Sequence, residues 1–185
     1  MTTCHSDSVR ILGIDPGLAS FGAVLVECSG GQRRIVDART FMSDASATRR
    51  GVAKADDRFR RARDLSLFLV ETITETRPDL IACESMSFPR GAQAVAAIAL
   101  SWGVIASATH GFPVVCAQPK AWRKAIAPKD ATETAAHAVV MSIAGASIIG
   151  ELNKGRRVHA LDAAGVALWA DNTDEFLSIW SGRMR

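Results

Sequence analysis

Residues Val9–Gly22 read VRILGIDPGLASFG, and the reading of the whole chain turns on this stretch. A mostly apolar strand delivers one aspartate, Asp15, into the turn Pro16-Gly17. Beyond the turn, the apolar run Phe21–Val26 reads as the partner strand of a hairpin. A carboxylate at the end of a buried strand is costly unless something pairs with it, and a divalent cation is a usual partner. Gly17 would let a phosphate or a metal come close to the backbone. Alone, the motif fits two things: a metal-dependent nuclease, or an ATP-binding fold that cradles phosphates in a similar hairpin.

The neighbouring sequence extends the pattern. Val9–Asp15, Phe21–Cys28 and Arg34–Phe41 read as three strands, with Gly17 and Gly30-Gly31 at the turns, so an antiparallel meander is expected. A helix follows from about Asp56 to Thr76, with Phe59, Ala62, Leu65, Leu69 and Ile73 on one face, ended by Arg77-Pro78. A fourth strand, Asp79–Glu84, is apolar until it ends in Glu84. Ala92–His110 reads as a helix apolar nearly all round, which must be covered on more than one side by the core or a second subunit. Pro113–Ala117 makes a fifth strand, and helices are expected over Pro119–Ile126, Ala131–Ala144 and Val158–Ala170. Three hairpin strands followed by β-α units describe a mixed five-stranded sheet flanked by helices.

The 185 residues suit one domain over residues 1–185, with a flexible N-terminus over 1–8. An ATPase or sugar kinase built on this hairpin needs two related domains and about twice the length. Hydrophobic content of 48% fits a folded, soluble chain. Cys28, Cys83 and Cys116 lie in apolar runs and Cys4 stands apart, with no CxxC pair, so buried thiols in a reducing cytosol are expected and zinc is not. No apolar run reaches the roughly eighteen residues of a membrane span, and MTTCHSDS is no signal peptide. The net charge is only +3, but basic residues cluster over Arg49–Arg63, over Lys120–Lys129, and at Lys154, Arg156 and Arg157, a patchiness that permits nucleic-acid binding. The arginine run Arg58–Arg63 reads first as a solvated helix face. Trp102, Trp122, Trp169 and Trp180 read as core or interface aromatics rather than base-stacking platforms.

Asp15 and Glu84 each end a strand, at the edge of an α/β sheet where ligands collect. His159 and Asp162, three apart, share a helix face. Asp162 stands in the otherwise apolar run ALDAAGVALWA, where an unpaired charge is badly placed. His159 alone reads equally as a solvated first-turn histidine. Three carboxylates and a histidine form an oxygen-rich set suited to magnesium or manganese. Two such ions, about 4 Å apart, would activate a water and stabilise the leaving oxygen of a phosphodiester.

The pattern GIDPG, a strand ending in Glu and a late HxxD helix resembles the RuvC family of Holliday junction resolvases, proteins of the ribonuclease H-like architecture. Asp15, Glu84, His159 and Asp162 match that family's four active-site positions, which makes them the expected catalytic and metal-binding residues. Gln93–Gly103 resembles the helix after the family's glutamate, and QPKAWRKAI (Gln118–Ile126) its Pro-x-x-Val-Lys segment, with Lys124 at the basic position expected to face DNA. Phe88 resembles the aromatic inserted at the junction centre, one residue later than usual. Where the family carries a second lysine this chain offers Glu133, with Lys129 nearby.

The resemblance implies a homodimer that resolves four-way DNA junctions by paired, metal-dependent phosphodiester hydrolysis, with two Mg2+ ions (Mn2+ substituting) per site. Expected DNA contacts are Phe88, Arg90, Lys120, Arg123, Lys124 and Lys129, and the helix Ala92–His110 is the expected interface. Branch-migration machinery is a further partner to expect, in the cytoplasm or an organelle. Two alternatives stay open: a related nuclease acting on other branched DNA, and a branched-DNA-binding module without catalysis.

Overall fold

The computed structural model describes residues 8–43, 54–85 and 91–183. Cys4, Arg49, Arg50, Phe88 and Arg90 lie outside them. Five strands form one sheet: β1 (Ser8–Asp15), β2 (Ser20–Ser29), β3 (Gln32–Met42), β4 (Leu80–Glu84) and β5 (Val114–Ala117), in the order β3-β2-β1-β4-β5. β1–β2 and β2–β3 pair antiparallel, whereas β1–β4 and β4–β5 pair parallel. The helices are α1 (Lys54–Thr76), α2 (Ala92–Ala108), α3 (Pro119–Ile126), α4 (Glu133–Met141), α5 (Ser147–Gly150), α6 (Lys154–Ala170) and α7 (Asp174–Arg183). Among the described residues, no helix is long and apolar enough to cross a membrane.

Because β1 is central, both its faces are buried. Val9 and Ile11 face a core shared with α3, α4 and α6, while Leu12 and Ile14 face a core shared with α1 and α2. The strand alternation therefore sends Asp15 to the α6 side, the parity of Gly13. Glu84 has the parity of Leu80 and Ala82, which face the same core. The parallel register Gly13↔Ala82 and Ile14↔Cys83, continued by one residue, sets Asp15 beside Glu84.

α6 lies unusually close to the sheet, and two glycines permit it. A Cβ on Gly13 would stand 1.9 Å from the carbonyl oxygen of Ala163, and one on Gly22 would stand 2.1 Å from that of His159. Any side chain there would push the helix off the strands, carrying His159 and Asp162 with it. Gly17 is required by the turn itself, because a Cβ would meet the Ser20 carbonyl oxygen at 2.2 Å.

Some sequence expectations need correction. Phe59 is 72% exposed, although Leu65, Leu69 and Ile73 are buried as expected. Phe59 shares their helix face, within about 40° of Ile73, but it stands near the start of α1, before the first fully buried position, Leu65. Cys116 is exposed while Cys28 and Cys83 are buried, because β5 is an edge strand and the helix layer leaves this side chain open. α6 begins four residues earlier than expected, where the Asn153 side chain accepts from the Arg156 amide. α4 is shorter than expected and is capped by Thr132, whose hydroxyl accepts from the Ala135 amide. α5 and α7 carry no clear sequence signal and were not expected.

Candidate active site

Asp15, Glu84 and Asp162 converge at one end of the sheet, each offering a carboxylate oxygen, with all three oxygens within 4.8 Å of one another. The first two arrive by strand register and the third by the seating of α6 on Gly13 and Gly22. Three acids this close repel one another unless a positive charge joins them. Burial pushes the Asp15 carboxyl above its usual range, against the opposing hydrogen bond with His159, and the Asp162 charge adds to the rise. Burial likewise lifts Glu84 to about 7, against its bond with Trp122, with the charges of Asp15 and Asp162 contributing. The donor set is all oxygen, anionic and mutually strained, which fits a hard divalent cation.

His159 is not a member of that mutual oxygen set. Its Nδ1 meets Asp15 Oδ2 at 2.7 Å, and this bond holds the imidazole proton more firmly than usual, with burial opposing. The structure thus brings together all four residues expected from sequence, with the histidine against one carboxylate. Among the described residues, three further side chains reach the cluster. The Trp122 indole Nε1 donates to Glu84 Oε2 at 2.9 Å. His137 Nε2 stands 2.8 Å from Asp162 Oδ1. Arg123 Nη2 lies 3.8 Å from Asp162 and 3.3 Å from Glu133, and its guanidinium sits 5.1 Å from the centre of the Trp122 ring.

The expected basic residues separate in space. Lys120, Lys124 and Lys129 are exposed, whereas Arg123 is turned into the acidic cluster. Of this segment's basic residues, Arg123 is the one that meets a carboxylate, and Lys124 stays exposed. Arg157 donates to the carbonyls of Gly150 and Leu152 at 2.7 and 3.0 Å and so serves the loop before α6. On α1, Arg60 pairs with Asp57 and Asp64, and Arg61 donates to Ser43 Oγ. Trp122 and His137 were missed as site residues. Trp122 had been read only as core, and a lone histidine in the alanine-rich run ETAAHAVVM gives no periodic signal.

A five-stranded sheet of this order, with helices on both faces and acids at the strand ends, is of the ribonuclease H-like class. Thermus thermophilus RuvC in complex with Holliday junction substrate shares the fold: TM-score 0.67, 19% identity, 95% of this chain and 96% of that one covered. The yeast mitochondrial Holliday junction resolvase Ydc2 shares it at TM-score 0.57 and 14% identity, over 95% and 85% of the two chains. The family model for crossover junction endodeoxyribonuclease RuvC matches residues 11–170, and the chain belongs to that family. Among curated relatives, the RuvC of Synechococcus sp. strain CC9902 is 33% identical over 49% of this chain and 53% of its own length. That of Moorella thermoacetica is 33% identical over 63% of this chain and 66% of its own length. The match thus spans about half of the first relative and two thirds of the second.

Proposed function

We propose that this chain is a metal-dependent endonuclease that resolves four-way DNA junctions as a homodimer. The observation that carries the reading is the convergence of Asp15, Glu84 and Asp162 within 4.8 Å, in a chain of a family named for crossover junction cleavage. The T. thermophilus relative, described with Holliday junction substrate, supports the choice of DNA.

In this reading Asp15, Glu84 and Asp162 hold the metal. Bound magnesium, two ions with manganese able to substitute, supplies the Lewis acid that neutralises phosphate charge and activates the attacking water. The protein's own groups do the rest. His159 is fixed through Nδ1 to Asp15, which leaves Nε2 as the ring atom that takes or returns a proton. Arg123 sets one fixed positive charge beside Asp162, where a phosphate oxygen would approach. Lys120, Lys124 and Lys129, exposed near the same edge, track the DNA backbone. Phe88 and Arg90, outside the described residues, complete the proposed DNA contacts.

The dimer is read from α1 and α2, which pack together and leave large apolar side chains in water: Leu67 at 62% exposure, Val70 at 49% and Leu100 at 37%. A two-fold contact through these helices would pair two sites for symmetric nicking. The test is a labelled four-way junction set against linear duplex, with and without Mg2+. Paired nicks on the junction alone, only with the metal, are expected. Junction binding without cleavage at any metal concentration would leave a non-catalytic binding module instead.

A further inference from the structure

Each of the three carboxylates is bonded by one aromatic ring nitrogen, and each ring comes from a different helix. His159 of α6 serves Asp15 at 2.7 Å, Trp122 of α3 serves Glu84 at 2.9 Å, and His137 of α4 serves Asp162 at 2.8 Å. We infer that Trp122 and His137 are positioning residues of the metal site, each occupying one oxygen of its carboxylate and leaving the other for the cation. The inference rests on the metal-site reading given above.

Both rings are built in rather than resting on the surface. Trp122 is fully buried, and its ring lies over Gly165, where a Cβ would come within 2.4 Å of Cζ3. Gly165 is three residues beyond Asp162, on the same face of α6, so the helix that supplies one acid also makes room for the indole that holds another. His137 sits between Ala136 and Val140, which are buried against α6, and its side chain and that of Asp162 are only 15% and 14% exposed. An Asp side chain has two rotatable bonds and a Glu three, and crowded acids turn away from one another when nothing holds them. A ring N–H costs little entropy to order and fixes that rotation before a cation arrives. Hydrogen bonds to metal-ligating groups of this kind are typically worth about 10–100-fold in metal affinity.

The test is direct Mn2+ binding to the metal-free whole protein, read by loss of the free-ion electron paramagnetic resonance signal, with thermal melts as the check on folding. His137→Ala is expected to weaken Mn2+ binding about 10-fold or more while melting like the wild type. His137→Gln, whose amide can place an N–H near the same point, is expected to recover most of the loss. Trp122→Phe keeps an aromatic ring, though a smaller one, and removes the donor, and it should weaken Mn2+ binding in the same range. Should Trp122→Phe fail to fold, the His137 pair decides. Equal or tighter Mn2+ binding by His137→Ala overturns the inference, as does a weakening that His137→Gln does not relieve. A wild-type protein that binds no Mn2+ overturns the underlying metal-site reading as well, so the two failures are distinguishable.

Discussion

The two faces of the sheet are closed by opposite means. On one, α6 meets β1 and β2 through Gly13, Gly22, Ala163 and Ala167, so closely that a single methyl would collide with a backbone carbonyl. On the other, α1 and α2 bury Leu65, Leu69, Ile73 and Ile105 but leave Phe59, Leu67, Val70 and Leu100 largely in water. Small residues give short, inflexible contacts, which a site of three acids within 4.8 Å requires. Large apolar residues left uncovered offer area without precision, which suits a partner surface. The contrast separates a face closed tightly beside the acids from one that leaves apolar area open.

The sharpest way to break the comparison is at the carboxylates. Asp15→Asn, Glu84→Gln and Asp162→Asn each remove a charge without changing bulk, so each should abolish junction cleavage while junction binding in chelator persists. Near-normal cleavage by any one of them in Mg2+ would show that the acids are not a working unit. Next comes packing. Gly22→Val drives a side chain into the His159 carbonyl and should cost about 3 kcal/mol or more, a fall in Tm of roughly 6–12 °C. Leu67→Ala on the opposite face should change stability by less than about 0.5 kcal/mol in the monomer. If the two variants melted alike, the difference between the faces would be cosmetic.

A third variant acts on the open face. Leu100→Glu should leave the fold and metal binding intact but shift sedimentation at micromolar concentration from dimer to monomer, with single nicks replacing paired ones. A wild-type protein that already sediments as a monomer, with or without junction DNA, would remove the partner-surface reading. The smallest effect expected is in pH. Burial raises folded Glu84 to about 7, above its ordinary 4.5, so the fold favours the protonated acid. Its contribution is complete below pH about 4.5 and is lost as pH rises through 7. In EDTA, thermal melts should therefore show wild type losing stability across that window and Glu84→Gln losing less. Identical profiles would mean that the acid end of the tight face carries no such strain.

Much of the site was legible because its charges are misplaced for a soluble core. Asp15 and Glu84 end apolar strands, and Asp162 interrupts an apolar helix, so each asks for a partner that local sequence does not supply. Strand parity put the first two on one side, and the three-residue step from His159 to Asp162 aligned the others. His137 and Trp122 were not legible in the same way. Neither is anomalous where it stands, and each meets its acid across 25 and 38 residues of chain by helix packing that no local period encodes. Arg123 and Lys124 were both expected to face DNA, and one step along the helix, a turn of about 100°, sends Arg123 to Asp162 and leaves Lys124 exposed. Phe59 lies on the buried face of α1 by period, and its exposure follows from its place near the helix start, which a period does not encode.

The bond between Asp15 and His159 joins residues 144 positions apart. During synthesis the β1–β2–β3 meander can pair while α6 is still unmade, because its contacts are local. Pairing of β4 with β1 then sets Asp15 beside Glu84, but without α6 the third acid, Asp162, is missing. The full acidic centre comes into being only when α6 docks, after all five strands have been made. A polypeptide not yet made through α6 lacks His159 and Asp162, and with them the three-acid cluster itself.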